Sequence, residues 1–346
     1  MSGDLLGDVL RRTSRTFYLS LAILPRSLRE PIGLAYFLAR VTDSVADTRL
    51  LPRLHRREHL ETLRQAYRGT DADVKAIGRE CAPLQAHGAE REMVARVDEA
   101  LARVERLPPP DRDAVRGVLA TITEGQLFDL QHFIGDSDAT LSALETLDEL
   151  DRYTYLVAGC VGDFWTAMHL AHRPRLARWD RAAMTARGIR FGKALQMTNV
   201  LRDVPADLRE GRCYLPAREL ARVGLTPRDL LDPAATPRAR PLLDRLLGVT
   251  LTHYDEAWTY ALAIPRAEWR MRLACVWPLL IGLATLAAIA RHPDPLAVRR
   301  PIKVSRGGVR AIVARSIAVV WSNKALRAEA ARLSYFLRAV REERTV

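Results

Sequence analysis

Two acidic stripes, each written at helical spacing, are the part of this sequence best suited to chemistry. Tyr36, Arg40, Asp43 and Asp47 follow one another by four, three and four residues inside LAYFLARVTDSVAD, so on a helix they stack along one stripe. Gln196, Asn199, Asp203 and Asp207 repeat the arrangement at three, four and four inside FGKALQMTNVLRDVPAD. Each stripe ends in an Asp pair four residues apart, and like charges at that spacing weaken a bare helix by about 0.2–0.5 kcal/mol. A hard divalent cation would relieve that repulsion. Mg²⁺ takes oxygens from one or two carboxylates and completes its octahedron with water and phosphate. Asp43 and Asp47 are therefore expected to hold Mg²⁺, with Mn²⁺ as a substitute, from one wall, and Asn199, Asp203 and Asp207 from the other. Arg40 and Arg202 would grip phosphate oxygens bidentately.

The elements that must position these residues read as helices. Residues 32–47 form one, with Pro31 in its first turn and Ile32, Ala35, Leu38, Val41 and Val45 on its apolar side. Residues 191–207 form a second, with Leu195, Val200 and Leu201 apolar and Pro205 expected to kink it locally. Apolar recurrence at three and four residues continues along nearly the whole chain, whereas strand-like alternation is scarce. Breaks fall at clusters such as Pro108-Pro109-Pro110 and Gly135-Asp136-Ser137, none of linker length, and no solenoid repeat is present. The expectation is a single all-α domain over residues 1–346. The most apolar segment, Trp277 to Ala290, falls short of the roughly 20 residues that cross a bilayer and contains Pro278 and Gly282, so it reads as a buried core helix.

Composition narrows the function classes. With 346 residues, 48% of them hydrophobic and 27% charged, the chain is an ordinary globular one and not a disordered or collagen-like one. A formal charge of +12 draws anions, whether nucleic acid, acidic lipid or phosphorylated substrate. The basic residues are scattered and form no recognition module, so a nucleic-acid partner is not expected. Cys81, Cys160, Cys213 and Cys275 lack metal-site spacing, and the start MSGD lacks a secretory signal, so a cytoplasmic location is expected.

Five motifs then occur in order: SRTF at residues 14–17, ARVTDSVAD at 39–47, YTYLVAGCVG at 153–162, LQMTNVLRDVPAD at 195–207 and GRCYLP at 211–216. In this series the chain resembles the squalene/phytoene synthase family, and most of all its bacterial squalene synthases. The resemblance implies a class I terpene synthase-like isoprenoid synthase fold, a helical bundle around a central apolar cavity. It implies Mg²⁺-dependent head-to-head condensation of two farnesyl diphosphates to presqualene diphosphate, followed by NADPH-dependent reduction to squalene. The alternatives within the family stop at presqualene diphosphate, or make dehydrosqualene or phytoene without NADPH. By the same resemblance Tyr153 lies beside the diphosphates as donor or proton relay. Ser14, Arg15, Gln196 and Arg212 join Arg40 and Arg202 on the diphosphates, and Phe17 packs inward.

The run from Val157 through Ala158 and Gly159 to Gly162 would either line the prenyl chain or allow close helix packing; both readings stay open. PLLIGLATLAA at 278–288 and KVSRG at 303–307 are similar to the apolar helix and basic loop near NADPH in squalene synthases, although Ser305 stands where the eukaryotic pattern has a basic residue. Lys303 and Arg306 would meet the cofactor phosphates and Tyr36 the nicotinamide side, a solvated basic loop being the competing reading. No GxGxxG follows a strand, so such a site is not of Rossmann type. The apolar and arginine-rich stretch from Arg327 to Val346 would touch the inner face of the cytoplasmic membrane peripherally or pack on the enzyme body. The protein is expected to be a monomer or weak homo-oligomer.

Overall fold

The computed structural model describes residues 4–13, 17–335 and 337. Helices make up almost all of the regular structure, as the apolar periodicity requires. Among the described residues the strand pairing is limited to Ser142–Ala143 running parallel to Arg212–Cys213. The chain divides into two compact units, Met1–Gln131 with Cys160–Thr185 and His132–Gly159 with Ala186–Val346.

The first unit is built on the Arg26–Ala46 helix, which buries Leu28, Ile32, Phe37, Leu38, Val41 and Val45. This helix starts six residues earlier than Pro31 suggests. A proline there removes only the amide that would meet the Ser27 carbonyl in the first turns, so the helix tolerates it. Ahead of it, Arg29 donates from Nε to the Leu24 carbonyl at 2.7 Å. The helix is pinned from the side by Tyr67, at the end of the Arg53–Tyr67 helix. The Tyr67 hydroxyl meets Thr42 Oγ1 at 3.0 Å, while Thr42 donates to the Leu38 carbonyl. Elsewhere in this unit His172 Nε2 contacts the Asp111 carboxylate at 2.8 Å, tying the Cys160–His172 helix to the Pro109–His132 helix. His169 is fully buried and donates from Nδ1 to the Trp165 carbonyl at 2.7 Å. Burial, helped by the charges of Arg173 and His172, pushes its pKa down to about 3.

The second unit centres on the Arg181–Arg209 helix, from Ala186 onward, with Pro205 carried inside it. It repeats the pinning of the first unit. The Tyr254 hydroxyl meets Thr198 Oγ1 at 2.9 Å, and Thr198 donates to the Ala194 carbonyl. The other fixed point is Gly192. A Cβ there would stand 2.0 Å from the Ala158 carbonyl oxygen and 2.9 Å from the Gly159 Cα, so only hydrogen fits against the π-helical turn Tyr155–Gly159. The Trp269–Arg291 helix is longer than the apolar core 277–290 implies. By length and composition alone it could cross a bilayer, but 67% of its most apolar window is buried within the unit, as a core helix should be. From this helix the buried Arg272 donates to the Ile264 and Val320 carbonyls and to Asn323 Oδ1, at 2.6, 3.0 and 2.6 Å.

Two outcomes follow for stability. Gly192→Ala should lower unfolding free energy in a denaturant melt by at least about 1–3 kcal/mol, the cost of overpacking against backbone that cannot yield. Gly117→Ala, in a helix with no atom near the added methyl, should instead gain about 0.5–1 kcal/mol. His169 stays neutral in the folded state down to about pH 3, while the unfolded chain takes up its proton near 6.5. The unfolded state therefore binds more protons between those values. The stability from this group is complete above pH 6.5 and is lost as pH falls. His169→Gln should flatten the acid limb of the stability curve by about 1.4 kcal/mol per pH step of one, as chemical melts between pH 4 and 6 would read.

Candidate active site

In the first unit, the face of the Arg26–Ala46 helix turned away from the core presents Arg40 and Asp43 to a cavity of about 440 Å³, together with Asp47 at the helix end, His87 and Glu90. Asp43 is held by two donors: Arg40 Nη1 at 2.9 Å on Oδ2 and Gln126 Nε2 at 2.6 Å on Oδ1. Burial raises its pKa to about 6; Arg40 pulls it back and the charge of Asp47 pushes it further. Its side chain still keeps 34% of its surface open, so the carboxylate is reachable from the cavity. Arg40 also reaches Glu90 at 3.8 Å, and Tyr36, one turn earlier, lies close enough to act on its charge. Ser14 and Arg15 lie outside the described residues; Phe17 opens the Phe17–Ile23 helix. Gly162 sits in the Cys160–His172 helix, where its carbonyl accepts from Thr166 Oγ1 at 2.8 Å.

In the second unit, Tyr153 ends the Leu147–Thr154 helix, which Thr146 caps by accepting from the Glu149 amide. The buried Tyr153 hydroxyl accepts from Gln196 Nε2 at 3.3 Å, and Gln196 Oε1 accepts from Asn199 Nδ2 at 3.3 Å. The stripe read from spacing is thus a bonded chain from Tyr153 to Asn199. One turn on, the Arg202 guanidinium clamps Asp203 with Nε on Oδ1 at 2.9 Å and Nη2 on Oδ2, and Asp207 follows one turn later. The Tyr153 ring stacks on Tyr214 with centroids 4.7 Å apart, and Tyr214 meets the edge of Phe133 at 4.9 Å. Gly211 makes this possible. Its φ of +81° suits glycine, and a Cβ there would lie 2.6 Å from the Ser137 carbonyl oxygen, so Arg212 and Tyr214 follow from a tight turn that other residues resist.

Val157, Ala158 and Gly159 lie in the π-helical turn, and the Gly192 crossing uses Gly159 for close packing, the second of its two readings. Lys303 and Arg306 are exposed, and neither meets a carboxylate among the described residues. Ser305 caps the Arg306–Val319 helix, accepting from the Gly308 amide at 3.1 Å. Much of the stretch from Arg327 onward that was expected at a membrane, residues 336 and 338–346, lies outside the described residues.

The donor chemistry fits magnesium. Among the described residues no three His, Cys, Asp or Glu side chains converge as a protein cage, which argues against a closed zinc or calcium site. What is present is oxygen donors in pairs, Asp43 with Asp47 and Asp203 with Asp207 beside the Asn199 amide, the arrangement a cation uses when phosphate and water complete its shell. Two contributors escape a reading of spacing. Gln126 comes from a helix whose pattern carries no sign of it. Tyr214 stands inside the GRCYLP motif, where the aromatic before Leu-Pro was its only signal.

The fold superposes on that of TcSQS, solved with the ligand E5700, at a TM-score of 0.76 over 95% of this chain and 90% of that one, with 21% identity. It is the all-α isoprenoid synthase fold. The squalene/phytoene synthase family model matches residues 10–308, and the chain belongs to that family of prenyltransferases, which join prenyl diphosphates head to head. It is 25% identical over 310 residues to the squalene synthase of Schizosaccharomyces pombe, covering 90% of this chain and 64% of that enzyme. It is 28% identical over 254 residues to the 15-cis-phytoene synthase of Synechococcus elongatus, covering 72% of each. The chain thus spans a little under two thirds of the yeast enzyme's length.

The twin donors on Asp43 make a testable point. Gln126→Leu removes one hydrogen bond to the carboxylate form, so Asp43 should hold its proton more tightly and turnover should require roughly 10- to 100-fold more Mg²⁺, in keeping with about 1.5–3 kcal/mol for a hydrogen bond to a charged group. Metal titration of the initial rate measures this, with thermal melting unchanged within about 1 kcal/mol as the control.

Proposed function

We propose that this enzyme is a squalene synthase: it condenses two farnesyl diphosphates to presqualene diphosphate and reduces that intermediate with NADPH. The observation that carries the reading is the reach of the likeness, which extends over 310 residues of a squalene synthase but 254 of a phytoene synthase. A phytoene-type reading has its own support in the higher identity of the latter, 28% against 25%.

The residues divide the work by their chemistry. Arg40 and Arg202, each paired with an aspartate of its own stripe, have planar forks that suit two phosphate oxygens. Asp43, Asp47, Asn199, Asp203 and Asp207 would hold Mg²⁺, which supplies positive charge to a departing diphosphate. The Gln196 amide fixes the Tyr153 hydroxyl as an acceptor and leaves its own proton to donate to a diphosphate oxygen. Stacking on Tyr214 restrains the buried Tyr153 ring in that position. Lys303 and Arg306, uncompensated at a helix start, would hold the phosphates of NADPH, which supplies the hydride. We place the enzyme in the cytoplasm, where its four buried free thiols suit a reducing environment.

Incubation with farnesyl diphosphate and Mg²⁺ should yield squalene only when NADPH is added, with presqualene diphosphate accumulating without it. Preference for geranylgeranyl diphosphate, with hydrocarbon formed in the absence of reductant, would establish the phytoene reading instead. Asp203→Asn should depress both half-reactions by at least about 100-fold, the scale of losing a group that acts on transition-state charge. Lys303→Ala should slow the reductive step alone.

A further inference from the structure

The chain's positive charge is not spread evenly. Between Pro295 and Ala328 there are eight Lys and Arg and no Asp or Glu, so this tenth of the chain carries +8 of the net +12. All eight side chains are exposed. Of these, Arg315 reaches a carboxylate, Glu329 at 3.9 Å; the other seven have none among the described residues. A solvated basic surface usually contains no large apolar groups, yet two stand out here. Ile317 is 43% exposed and Trp321 is 52% exposed.

Their placement is fixed from below. The Arg306–Val319 helix buries Ile312 and Ser316, and Trp277 Nε1 donates to Ser316 Oγ at 2.9 Å, which turns the opposite face outward. Arg310 and Ile317, seven residues apart, share that outward stripe. Trp321 stands four residues on, in a turn bracketed by two acceptors of the buried Arg272, the Val320 carbonyl and Asn323 Oδ1. The exposed indole therefore projects from a rigid turn, not from a loose loop.

We infer that this face, through Arg299, Arg310, Arg315, Lys324 and Arg327 and apart from the Lys303 and Arg306 given above to cofactor phosphates, docks the enzyme on an anionic phospholipid bilayer. Cations above the acidic headgroups supply long-range attraction, each worth about fivefold in partitioning near the surface. Indole and isoleucine enter the interfacial layer, the depth that amphipathic aromatic rings prefer. A nucleic acid would use the same charges and could stack on Trp321, but it gives Ile317 no role, so the bilayer is the better fit. The inference does not depend on which hydrocarbon the enzyme makes.

The test is flotation of the full chain with vesicles of phosphatidylcholine alone and of phosphatidylcholine mixed with phosphatidylglycerol. Binding should appear on the mixed vesicles, be absent on the neutral ones, and weaken as salt is raised. Ile317→Ser with Trp321→Ser should reduce partitioning by about 10-fold or more, and Arg299→Gln with Arg310→Gln by a similar factor. Turnover of soluble farnesyl diphosphate and the melting temperature should stay at wild-type values, which separates lost docking from lost folding. Should the apolar pair of substitutions disturb the fold, the Arg299 and Arg310 pair decides. Equal flotation on both vesicle types, flotation on neither, or variants that float like wild type would overturn the inference. So would RNA displacing the protein from mixed vesicles while the Ile317 and Trp321 variants bound that RNA unchanged.

Discussion

A carboxylate set into the wall of a helical domain loses solvation that its neighbours must replace, and this constraint shapes both acidic helices. Asp43 shows it most plainly: burial lifts its pKa to about 6 even with Arg40 and Gln126 donating to it. The ion pair does little for stability, since a pair about one-third exposed on both sides contributes about 0–1 kcal/mol. Acidic pairs one turn apart on a helix are a net burden to the folded protein until a cation shares them.

Helices carrying such a burden need anchoring that is independent of their polar stripe. The two units meet this need in the same way. In each, a threonine immediately before a polar residue of the stripe, Thr42 before Asp43 and Thr198 before Asn199, bonds back to the carbonyl four residues earlier and accepts a buried tyrosine hydroxyl. Both phenols are fully buried and their pKa values are raised by that burial, so they remain protonated donors at any working pH. The local pattern is the same, TDSVAD in one helix and TNVLRD in the other. The pin sits about 100° around the helix from the stripe residue that follows it. A wholly apolar contact could slide there; a hydrogen bond between two buried hydroxyls fixes rotation as well as distance.

The legible part of this structure is the part that depends on period. The two stripes, the all-α character and the core role of the segment around Trp277 follow from side chains recurring on one face, and the bonded run Tyr153, Gln196, Asn199 agrees with the spacing. Helix limits were harder to read. Pro31 looked like a start and is an interior residue, because an early proline costs one hydrogen bond and the apolar face outweighs it. Gly192 has no signal at all. Its necessity comes from the Ala158 carbonyl, 34 residues earlier in sequence and adjacent only in the fold. Gln126, 83 residues from Asp43, is hidden for the same reason. Contacts set by tertiary neighbours leave no periodic trace on one chain, and those are the contacts that tune a site.

Charge is sorted by depth and by segment. Asp43, Asp203 and Asp207 are held partly inside while Asp47 is exposed, and each leading aspartate is already neutralised by an arginine of its own helix. The surplus of positive charge lies on the outside of residues 295–328, where seven of the eight cations meet no carboxylate among the described residues. A net charge of +12 therefore says little about the cavity around Asp43. There Arg40 stands among three carboxylates, Glu90, Asp43 and Asp47, so the local balance is negative. The Asp43 cavity and the basic segment thus carry opposite local charge, and the field of the basic segment acts outward on whatever surface the protein approaches.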